Sequence, residues 1–265
     1  MHPELIQTQY FTIYTIWFFF AAGLIAALYT LSKLSNKSGL KIQFLVNNFW
    51  KFFLWAIVGA RILAIVLNLK TYFYEFSGDV FLQIFYIWDK GLNLWGALIA
   101  VIIYLYYLCD KKEQSFWKWM DVLVPSIILG LAIGNLGAFF EGINYGKETS
   151  LPWGVNFESP AIKYTVPIHP AQIYAFLYSL AISTTLILLG KTEKVRQIKK
   201  PGFIGLTGIA AYSFFLFLEH FVRGDDTVML LGIRVEQIIA LIVAISSGIF
   251  LFLRYNKRTK KENHK

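Results

Sequence analysis

The sequence has little cysteine and little charge. Cys109 is the single cysteine among 265 residues, which excludes an internal disulfide and a metal site built from several thiols. Charged residues make up only 15% of the chain. A glycine-rich nucleotide loop, zinc-ligand spacing and a Gly-x-Ser-x-Gly elbow are also missing, so nucleotide-binding and soluble hydrolase chemistries have no support.

What the chain has in abundance is apolar residues. Hydrophobic residues make up 57% of it and aromatic residues 18%, and the mean hydropathy is +0.54. Such values are typical of a membrane protein. The net charge of +9 comes from short basic tracts between apolar segments, which indicates membrane topology rather than a nucleic-acid partner.

Seven apolar segments approach the roughly 20 residues that a helix needs to cross a bilayer. They run over about 10–32, 43–68, 91–109, 120–142, 170–190, 203–222 and 236–254. The first lacks a small-residue cleavage site, so we expect it to be retained rather than removed as a signal peptide. The stretch FLQIFYIW, between the second and third segments, is too short to cross and predicts an interfacial or re-entrant piece.

The distribution of basic residues predicts the orientation. With the N-terminus outside, 17 lysines and arginines fall on the inner side and six on the outer side. The positive-inside rule therefore favours an outer N-terminus and an inner C-terminus. We expect one polytopic membrane domain over residues 1–265, with a basic tail from about residue 255. That tail is read as a topology signal, the alternative being a lipid-headgroup or nucleic-acid site.

Ionisable residues inside apolar segments are candidates for function, because each costs roughly 2.5–3.5 kcal/mol on insertion scales. Arg61 follows Gly59 and Ala60, small residues that let another helix or a phosphate approach the backbone closely. Its guanidinium can clamp a phosphate through two parallel hydrogen bonds. The alternative is a structural pair with Glu141 or Glu219.

Glycines run through the fourth segment and into the loop that follows it. Gly130, Gly134 and Gly137 have the spacing of close helix packing. Gly142 and Gly146 lie nearer the turn-rich stretch NYGKETSLPWG. There they are predicted to shape a loop whose amides face a headgroup.

The stretch HPAQIY begins the fifth segment. Pro170 suits the first turn of a helix, and it places His169 just outside that turn, Gln172 within it and Tyr174 immediately after it. A histidine at the membrane surface can titrate near neutral pH, as a base or a phosphate partner must. The alternative is a structural interfacial histidine.

A charged cluster lies at the outer end of the sixth segment, in the stretch FLEHFVRGDD. It comprises Glu219, His220, Arg223, Asp225 and Asp226. One interpretation is an ordinary interfacial cluster, in which Glu219 and Arg223, four residues apart on a helix, form a salt bridge. The other is that these groups contact a substrate.

Taken together, these segments resemble the bacterial prolipoprotein diacylglyceryl transferases. The resemblance covers most of the chain and rests on GAR in the second segment, GLNLWGALIA opening the third, YGKETSLPWGV, HPAQIY and FVRGDD. It implies a multi-pass protein of the bacterial inner membrane. The implied reaction transfers diacylglyceryl from phosphatidylglycerol, or a related phospholipid, to the cysteine thiol of a lipobox-containing preprotein. It releases glycerol phosphate, and no metal or other cofactor is expected.

The resemblance also implies roles for individual residues. Arg61 and Arg223 would bind the phosphate, His169 would act as base or headgroup contact, and Gln172 and Tyr174 would orient the substrate. The further substrate contacts that we expect are Tyr14, Glu141, Gly142, Gly146, Glu219 and His220.

This chain departs from the family at several positions. In the glycine-rich run, a family arginine falls on Asn135, an asparagine or cysteine on Ala138, and a glutamate on Ile143. Glu141 stands two residues earlier and could take the place of that glutamate. Removing one well-placed electrostatic contact typically lowers an enzyme's rate by roughly 10²–10³, so these substitutions bear directly on catalysis.

Two further departures lie in other segments. The histidine that many members carry in the third segment corresponds to Trp95, and a family arginine ahead of Arg-Gly-Asp corresponds to Leu216 or Phe215. The sequence therefore leaves a second interpretation, a non-catalytic paralogue that binds phospholipid or a lipoprotein precursor in the same cavity. A solute transporter has less support, because inverted repeats are not evident.

Overall fold

The computed structural model describes residues 4–7, 12–67, 92–157, 162, 164–192 and 200–262. Its eight helices confirm the all-α prediction for the described residues, and two short antiparallel hairpins accompany them. In chain order the elements are β1 (Glu4–Gln7), β2 (Thr12–Tyr14), α1 (Thr15–Lys37), α2 (Gln43–Val46), α3 (Phe49–Leu67), α4 (Leu94–Lys111), α5 (Phe116–Glu141), α6 (Ala171–Lys191), α7 (Phe203–Glu219), β3 (Met229–Leu230), β4 (Ile233–Arg234) and α8 (Val235–Glu262).

Five of the described helices are long and apolar enough to span a membrane. They are α1, α3, α5, α6 and the Val235–Arg254 part of α8. The other two predicted segments contain α4, of 18 residues, and α7, an apolar helix of 17 residues. A membrane protein is therefore supported, whereas the count of seven spans stays a prediction. The predicted interfacial stretch at 81–88 lies outside the described residues.

The second predicted segment is interrupted rather than continuous. Helix α2 ends at Val46 and α3 begins at Phe49. Between them, the side-chain amide of Asn48 donates a hydrogen bond to the carbonyl oxygen of Phe44 over 2.8 Å. Asparagine side chains compete with the backbone for such acceptors, and this local bond accounts for the break.

The chain divides into two compact units. The smaller unit is Gly39–Phe116, and the larger unit comprises Met1–Ser38 and Trp117–Lys265. Within the smaller unit α3 packs against α4. A Cβ atom on Gly59 would lie 2.5 Å from the carbonyl oxygen of Gly96, so these two helices approach each other through their glycines.

In the larger unit, α1 packs along α5 through the predicted glycines. A Cβ on Gly23 would lie 2.6 Å from the carbonyl oxygen of Gly130, and a Cβ on Gly137 would lie 2.9 Å from the Cβ of Phe19. A Cβ on Gly134 would meet nothing within 4 Å. The packing prediction is confirmed for Gly130 and Gly137 and is wrong for Gly134.

Helices α5, α6 and α7 share an apolar core. Its buried members are Val124, Ile128, Ile182 and Leu186. The hydroxyl of Ser183 on α6 donates a 2.8 Å hydrogen bond to the carbonyl oxygen of Pro125 on α5, and a Cβ on Gly208 of α7 would lie 2.7 Å from Leu186. This core places the loop after α5, the beginning of α6 and the end of α7 at one end of the unit.

At the opposite end, a carboxylate of one helix caps another. Asp121 on α5 accepts hydrogen bonds from the backbone N–H groups of Gly202, over 2.6 Å, and Gly205, over 2.8 Å. The first N–H groups of a helix have no partner within that helix. Asp121 therefore supplies the cap that the sequence before α7 lacks.

We predict that Asp121→Ala lowers the free energy of unfolding by about 1 kcal/mol, the typical cost of losing a helix cap. Chemical unfolding in detergent micelles, followed by circular dichroism, measures the change. Asp110→Ala is the matched control, because Asp110 is exposed near the end of α4. Equal losses in the two variants would contradict the capping role.

Candidate active site

Three predicted motifs meet at the end of the larger unit. The backbone N–H of Gly146 donates to the carbonyl oxygen of His169 over 3.1 Å, and the N–H of Gly224 donates to the carbonyl oxygen of Tyr145 over 2.9 Å. A β-bridge joins Gly146 to Arg223. Backbone hydrogen bonds therefore hold three segments together at this end: the loop after α5, the HPAQIY stretch and the RGDD stretch.

Gly142 and Gly146, the two predicted loop glycines, occupy positions where a side chain would be strained or would clash. Gly142 has a φ of +78°, a conformation that disfavours residues with a Cβ. A Cβ on Gly146 would lie 2.5 Å from the Cβ of His169. Gly142 turns the chain out of α5, and Gly146 lets the loop backbone lie directly against the histidine.

His169 lies in a chain of polar contacts. Its Nδ1 is 3.2 Å from the hydroxyl oxygen of Tyr174, and the indole N–H of Trp153 donates to the same oxygen over 2.8 Å. The Tyr174 hydroxyl accepts from Trp153, and it can either accept from a protonated Nδ1 or donate to an unprotonated one. The tautomer with Nδ1 protonated leaves the Nε2 lone pair available.

Gln172 ties the beginning of α6 to the end of α5. Its side chain is 1% exposed, and its Nε2 donates a 2.7 Å hydrogen bond to the carbonyl oxygen of Ile143. Its Oε1 is buried and has no hydrogen-bond partner among the described residues. A buried amide oxygen without a partner is costly, and a bound polar group would relieve that cost.

Arg223 pairs with Asp225 rather than with Glu219. Its Nε and Nη2 donate to the two carboxylate oxygens of Asp225 over 2.9 and 2.6 Å, and Nη2 also donates to the side-chain oxygen of Asn144 over 2.8 Å. The expected Glu219–Arg223 salt bridge is therefore wrong. The turn after α7 brings the Asp225 carboxylate to the guanidinium, which makes a bidentate pair.

A second arginine completes this cluster. Arg234 donates to Asp225 Oδ1 over 3.1 Å and to the carbonyl oxygen of Arg223 over 3.1 Å. Burial alone would raise the pKa of Asp225, but the hydrogen bonds and charges of Arg223 and Arg234 hold that pKa below its usual value. Asp225 is therefore a carboxylate that orients two arginines.

Glu219 and His220, at the end of α7, are buried. Glu219 accepts a 2.7 Å hydrogen bond from the hydroxyl of Tyr178 on α6. His220 is 3% exposed, and its Nδ1 has no partner among the described residues. Burial, together with the charge of Arg223, lowers the pKa of His220 to about 4, so its imidazole is neutral at physiological pH.

The remaining predicted contacts are placed as follows. Glu141 ends α5, partly exposed, and its Oε2 is buried without a hydrogen-bond partner among the described residues. Tyr14 precedes α1 and is exposed. Arg61 lies on α3 in the smaller unit and is 6% exposed. That Arg61 binds the same phosphate as Arg223 stays a prediction.

A cavity of about 530 Å³ adjoins the arginine cluster. Its charged lining consists of three cationic side chains and two carboxylates, Lys147, Arg223, Arg234, Asp225 and Asp226. His220 and apolar residues of α7 and α8 complete it. The ammonium group of Lys147 donates to the carbonyl oxygen of Phe221 over 2.9 Å. This space can hold a small polar group next to three cationic side chains.

Sequence reasoning missed several residues of this site. Arg234 and Lys147 belong to the six basic residues that the topology places on the outer side, and charge counting gives them no other role. Asn144, Trp153 and Tyr178 have no sequence signal of their own. Arg234 was detectable, because it lies between Ile233 and the apolar helix α8, where an ionisable residue has to be explained.

Comparison with known proteins assigns a family to the sequence. The family model described as prolipoprotein diacylglyceryl transferase matches residues 3–253. A phosphatidylglycerol–prolipoprotein diacylglyceryl transferase of Clostridium tetani is 29% identical over 255 residues, which cover 95% of this chain and 97% of that protein. The protein of the same name from Finegoldia magna is 30% identical, and the match covers 79% of this chain and 78% of that protein. The one from Synechococcus sp. (strain CC9902) is 28% identical, and the match covers 97% of this chain and 94% of that protein.

We predict that Gly146→Ala displaces His169 and lowers the free energy of unfolding by about 1–3 kcal/mol, the usual range for overpacking. Thermal unfolding in detergent micelles measures the loss. Gly134→Ala is the control, because a Cβ at that helical position meets open space. A loss at Gly134 as large as that at Gly146 would contradict the steric argument.

His220 is predicted to make stability depend on pH. An unfolded histidine has a pKa of about 6.5, whereas folded His220 has a pKa of about 4. Stability that is present above pH 6.5 is therefore lost as the pH falls toward 4, because the unfolded chain binds the proton first. His220→Gln should lose less stability than the wild type between pH 7.5 and pH 5.

Unfolding midpoints at the two pH values test this, and an imidazole NMR titration reads the pKa directly. His169→Gln serves as the control histidine variant. A His220 resonance that titrates near pH 6.5 in the folded protein would show that burial does not hold this imidazole neutral.

Proposed function

This chain belongs to the prolipoprotein diacylglyceryl transferase family, and we propose from this membership that it transfers diacylglyceryl from phosphatidylglycerol to a lipobox cysteine of a preprotein. The observation that carries the proposal is the meeting of the loop after α5, HPAQIY and RGDD at one end of the larger unit. Nothing among the described residues favours the non-catalytic interpretation.

The proposed reaction is a displacement at the glyceryl carbon that bears the phosphate ester. The cysteine sulfur forms a bond to that carbon, the carbon–oxygen bond to phosphate breaks, and glycerol phosphate leaves with the electron pair. The thiol proton has to pass to a base, because the thiolate is the nucleophile. The site therefore needs a base and cations for the departing phosphate.

We assign the base to His169. The described polar contacts place Tyr174 and Trp153 on its Nδ1 side. With Nδ1–H donating to the Tyr174 hydroxyl oxygen, Nε2 keeps the lone pair that accepts the thiol proton. Tyr174 acts as a positioning residue, since its hydroxyl contact with Nδ1 orients the ring.

Arg223 is proposed to bind the phosphate. Asp225 and Asn144 engage its Nε and Nη2, which orients the guanidinium beside the 530 Å³ cavity that it lines. Arg61 is proposed as the second phosphate contact. The predicted substrate contacts Gly142, Gly146 and Gln172 would supply the loop and the amide around the headgroup.

The substituted family positions bear on which cations are used. Asn135 replaces one family arginine, and neutral His220 does not supply a charge in place of the other. We infer that Lys147 and Arg234, which line the same cavity as Arg223, contribute the positive charge that the substituted positions no longer provide. Their location supports this assignment, because both lie within the cluster around Asp225 and the RGDD turn.

For the membrane we propose seven spans in one polytopic domain, with α4 and α7 as the two spans beyond the five that length and hydropathy identify. The N-terminus would lie outside and the C-terminus inside the bacterial inner membrane. This orientation puts HPAQIY and RGDD on the outer face, next to the outer-leaflet phospholipid and the secreted preprotein.

The test reconstitutes the purified protein in phosphatidylglycerol-containing liposomes with a lipobox peptide. We predict a mass increase of one diacylglyceryl group on the peptide cysteine and release of glycerol phosphate. His169→Ala should lower the rate by roughly 10²–10⁴, the usual contribution of a general base. Tyr174→Phe should lower it less, because the histidine remains.

Arg61→Ala should also lower the rate, by roughly 10²–10³, and Lys112→Ala is its control, since Lys112 is exposed after α4. Each variant is compared with wild type by circular dichroism before assay. If the wild type binds labelled phosphatidylglycerol saturably but transfers nothing, the enzyme interpretation is rejected. The protein would then be a non-catalytic lipid-binding member of the family.

A further inference from the structure

The hairpin between α7 and α8 has an unusual turn. Strands β3 and β4 pair Met229 with Arg234 and Leu230 with Ile233, so the loop consists of Leu231 and its following glycine. Leu231 has a φ of +52° and the glycine a φ of +79°. Two positive φ values are those of a type I′ turn, in which asparagine or glycine normally takes the first position.

Leucine is a poor residue for that place. A side chain with a Cβ disfavours positive φ, and a bulky one makes the position a genuine outlier. Leu231 is also 95% exposed, so contacts within the described chain do not explain its presence. An asparagine would suit the turn better, and contacts among the described residues give no reason for a leucine at this position.

The neighbouring side chains share this exposure. Val228, Met229, Leu230 and Ile233 all expose about half of their surface or more. Arg234, the next residue along β4, is buried and bonded to Asp225. Cross-strand partners share a face of the hairpin and neighbours along a strand alternate. Met229 therefore lies on the same face as its partner Arg234, whereas Leu230 and Ile233 share the opposite face.

The position of the hairpin indicates what covers it. It joins the end of α7 to the beginning of α8, an identified membrane span. Met229 and Ile233 line the same cavity as Phe217 on α7 and Leu241 on α8, residues that lie inside those apolar helices. The hairpin therefore lies beside the last turn of α7 and the first two turns of α8.

We propose that the β3–β4 hairpin inserts its apolar tip, Val228–Ile233, into the acyl-chain region of the membrane leaflet that adjoins the candidate active site. Acyl chains cover the exposed leucine, which stabilises a turn that water would disfavour. Arg234 connects the inserted strand to Asp225 and to the backbone of Arg223. The inserted hairpin thus sets the depth of the arginine cluster relative to lipid headgroups, a consequence that rests on the proposed function.

Spin labelling tests the insertion without reference to activity. The native Cys109 is buried, and a Cys109→Ala background permits single labelling sites. Leu231→Cys is compared with Ile242→Cys, an exposed apolar position on the α8 span, and with Ser150→Cys, an exposed loop position. Each is placed in nanodiscs of phosphatidylglycerol and phosphatidylcholine, and relaxation by oxygen and by a water-soluble nickel chelate is measured.

We expect the label at 231 to behave like that at 242, with high oxygen and low nickel accessibility. A label at 231 that resembles the one at 150 would overturn the proposal. Protection from nickel that arises only when lipobox peptide is added would also overturn it, because the hairpin would then dock the preprotein rather than the membrane.

Variants that suit the turn separate insertion from folding. Leu231→Asn and Leu231→Gly are both compatible with positive φ, so neither should unfold the hairpin. With a label at Val228→Cys, both variants should raise nickel accessibility several-fold in nanodiscs, whereas Leu231→Phe should not. Unchanged accessibility in the asparagine and glycine variants would show that Leu231 does not hold the hairpin in lipid.

The functional consequence is measured in the liposome transfer assay. Leu231→Asn should raise the KM for phosphatidylglycerol several-fold in bilayers and leave kcat unchanged, and the difference should disappear in detergent micelles. An unchanged KM in bilayers would overturn the link between the hairpin and the arginine cluster. If the wild type transfers nothing, the proposed function fails, while the spin-label result still decides the insertion.

Discussion

The candidate site depends on a steric constraint at one glycine. The backbone of Gly146 passes directly between the HPAQIY and RGDD stretches, and a side chain there would collide with His169. Gly224 is equally confined, since its Cβ would lie 2.6 Å from the carbonyl oxygen of Gly146. Only because these residues lack side chains can three chain segments exchange backbone hydrogen bonds and bring a histidine and an arginine to one place.

Around this crossing, each charged group of the turn after α7 has a partner. Asp225 binds two arginines. Lys147, Arg223 and Arg234 line the cavity against the carboxylates of Asp225 and Asp226, which leaves one positive charge in excess there. Pairing offsets the cost of burying charge, while the excess cation remains for an anionic ligand. The proposal that a phospholipid phosphate binds at this site rests on the names of the relatives.

Particular residues mark where sequence reasoning succeeded and where it failed. The sequence reveals the motifs around His169 and Arg223, because glycines, prolines and charged residues are conspicuous in an apolar chain and each of them has a structural or energetic cost. One of the two interpretations of the charged cluster, a Glu219–Arg223 salt bridge, is wrong, because helical spacing does not apply across the turn that begins at the end of α7. Glu219 instead lies against Tyr178 of another helix, a contact that spacing along the chain does not contain.

The sequence by itself determined that this is an apolar helical protein of the diacylglyceryl transferase family, because hydropathy and motif spacing are properties of neighbouring residues along the chain. Tertiary structure alone decided that Asp225 orients Arg223 and Arg234, that His220 is neutral, and that Leu231 stands exposed at the tip of a hairpin. Those outcomes depend on burial and on which segments cross. Burial and crossing are set by packing between helices that are far apart in sequence.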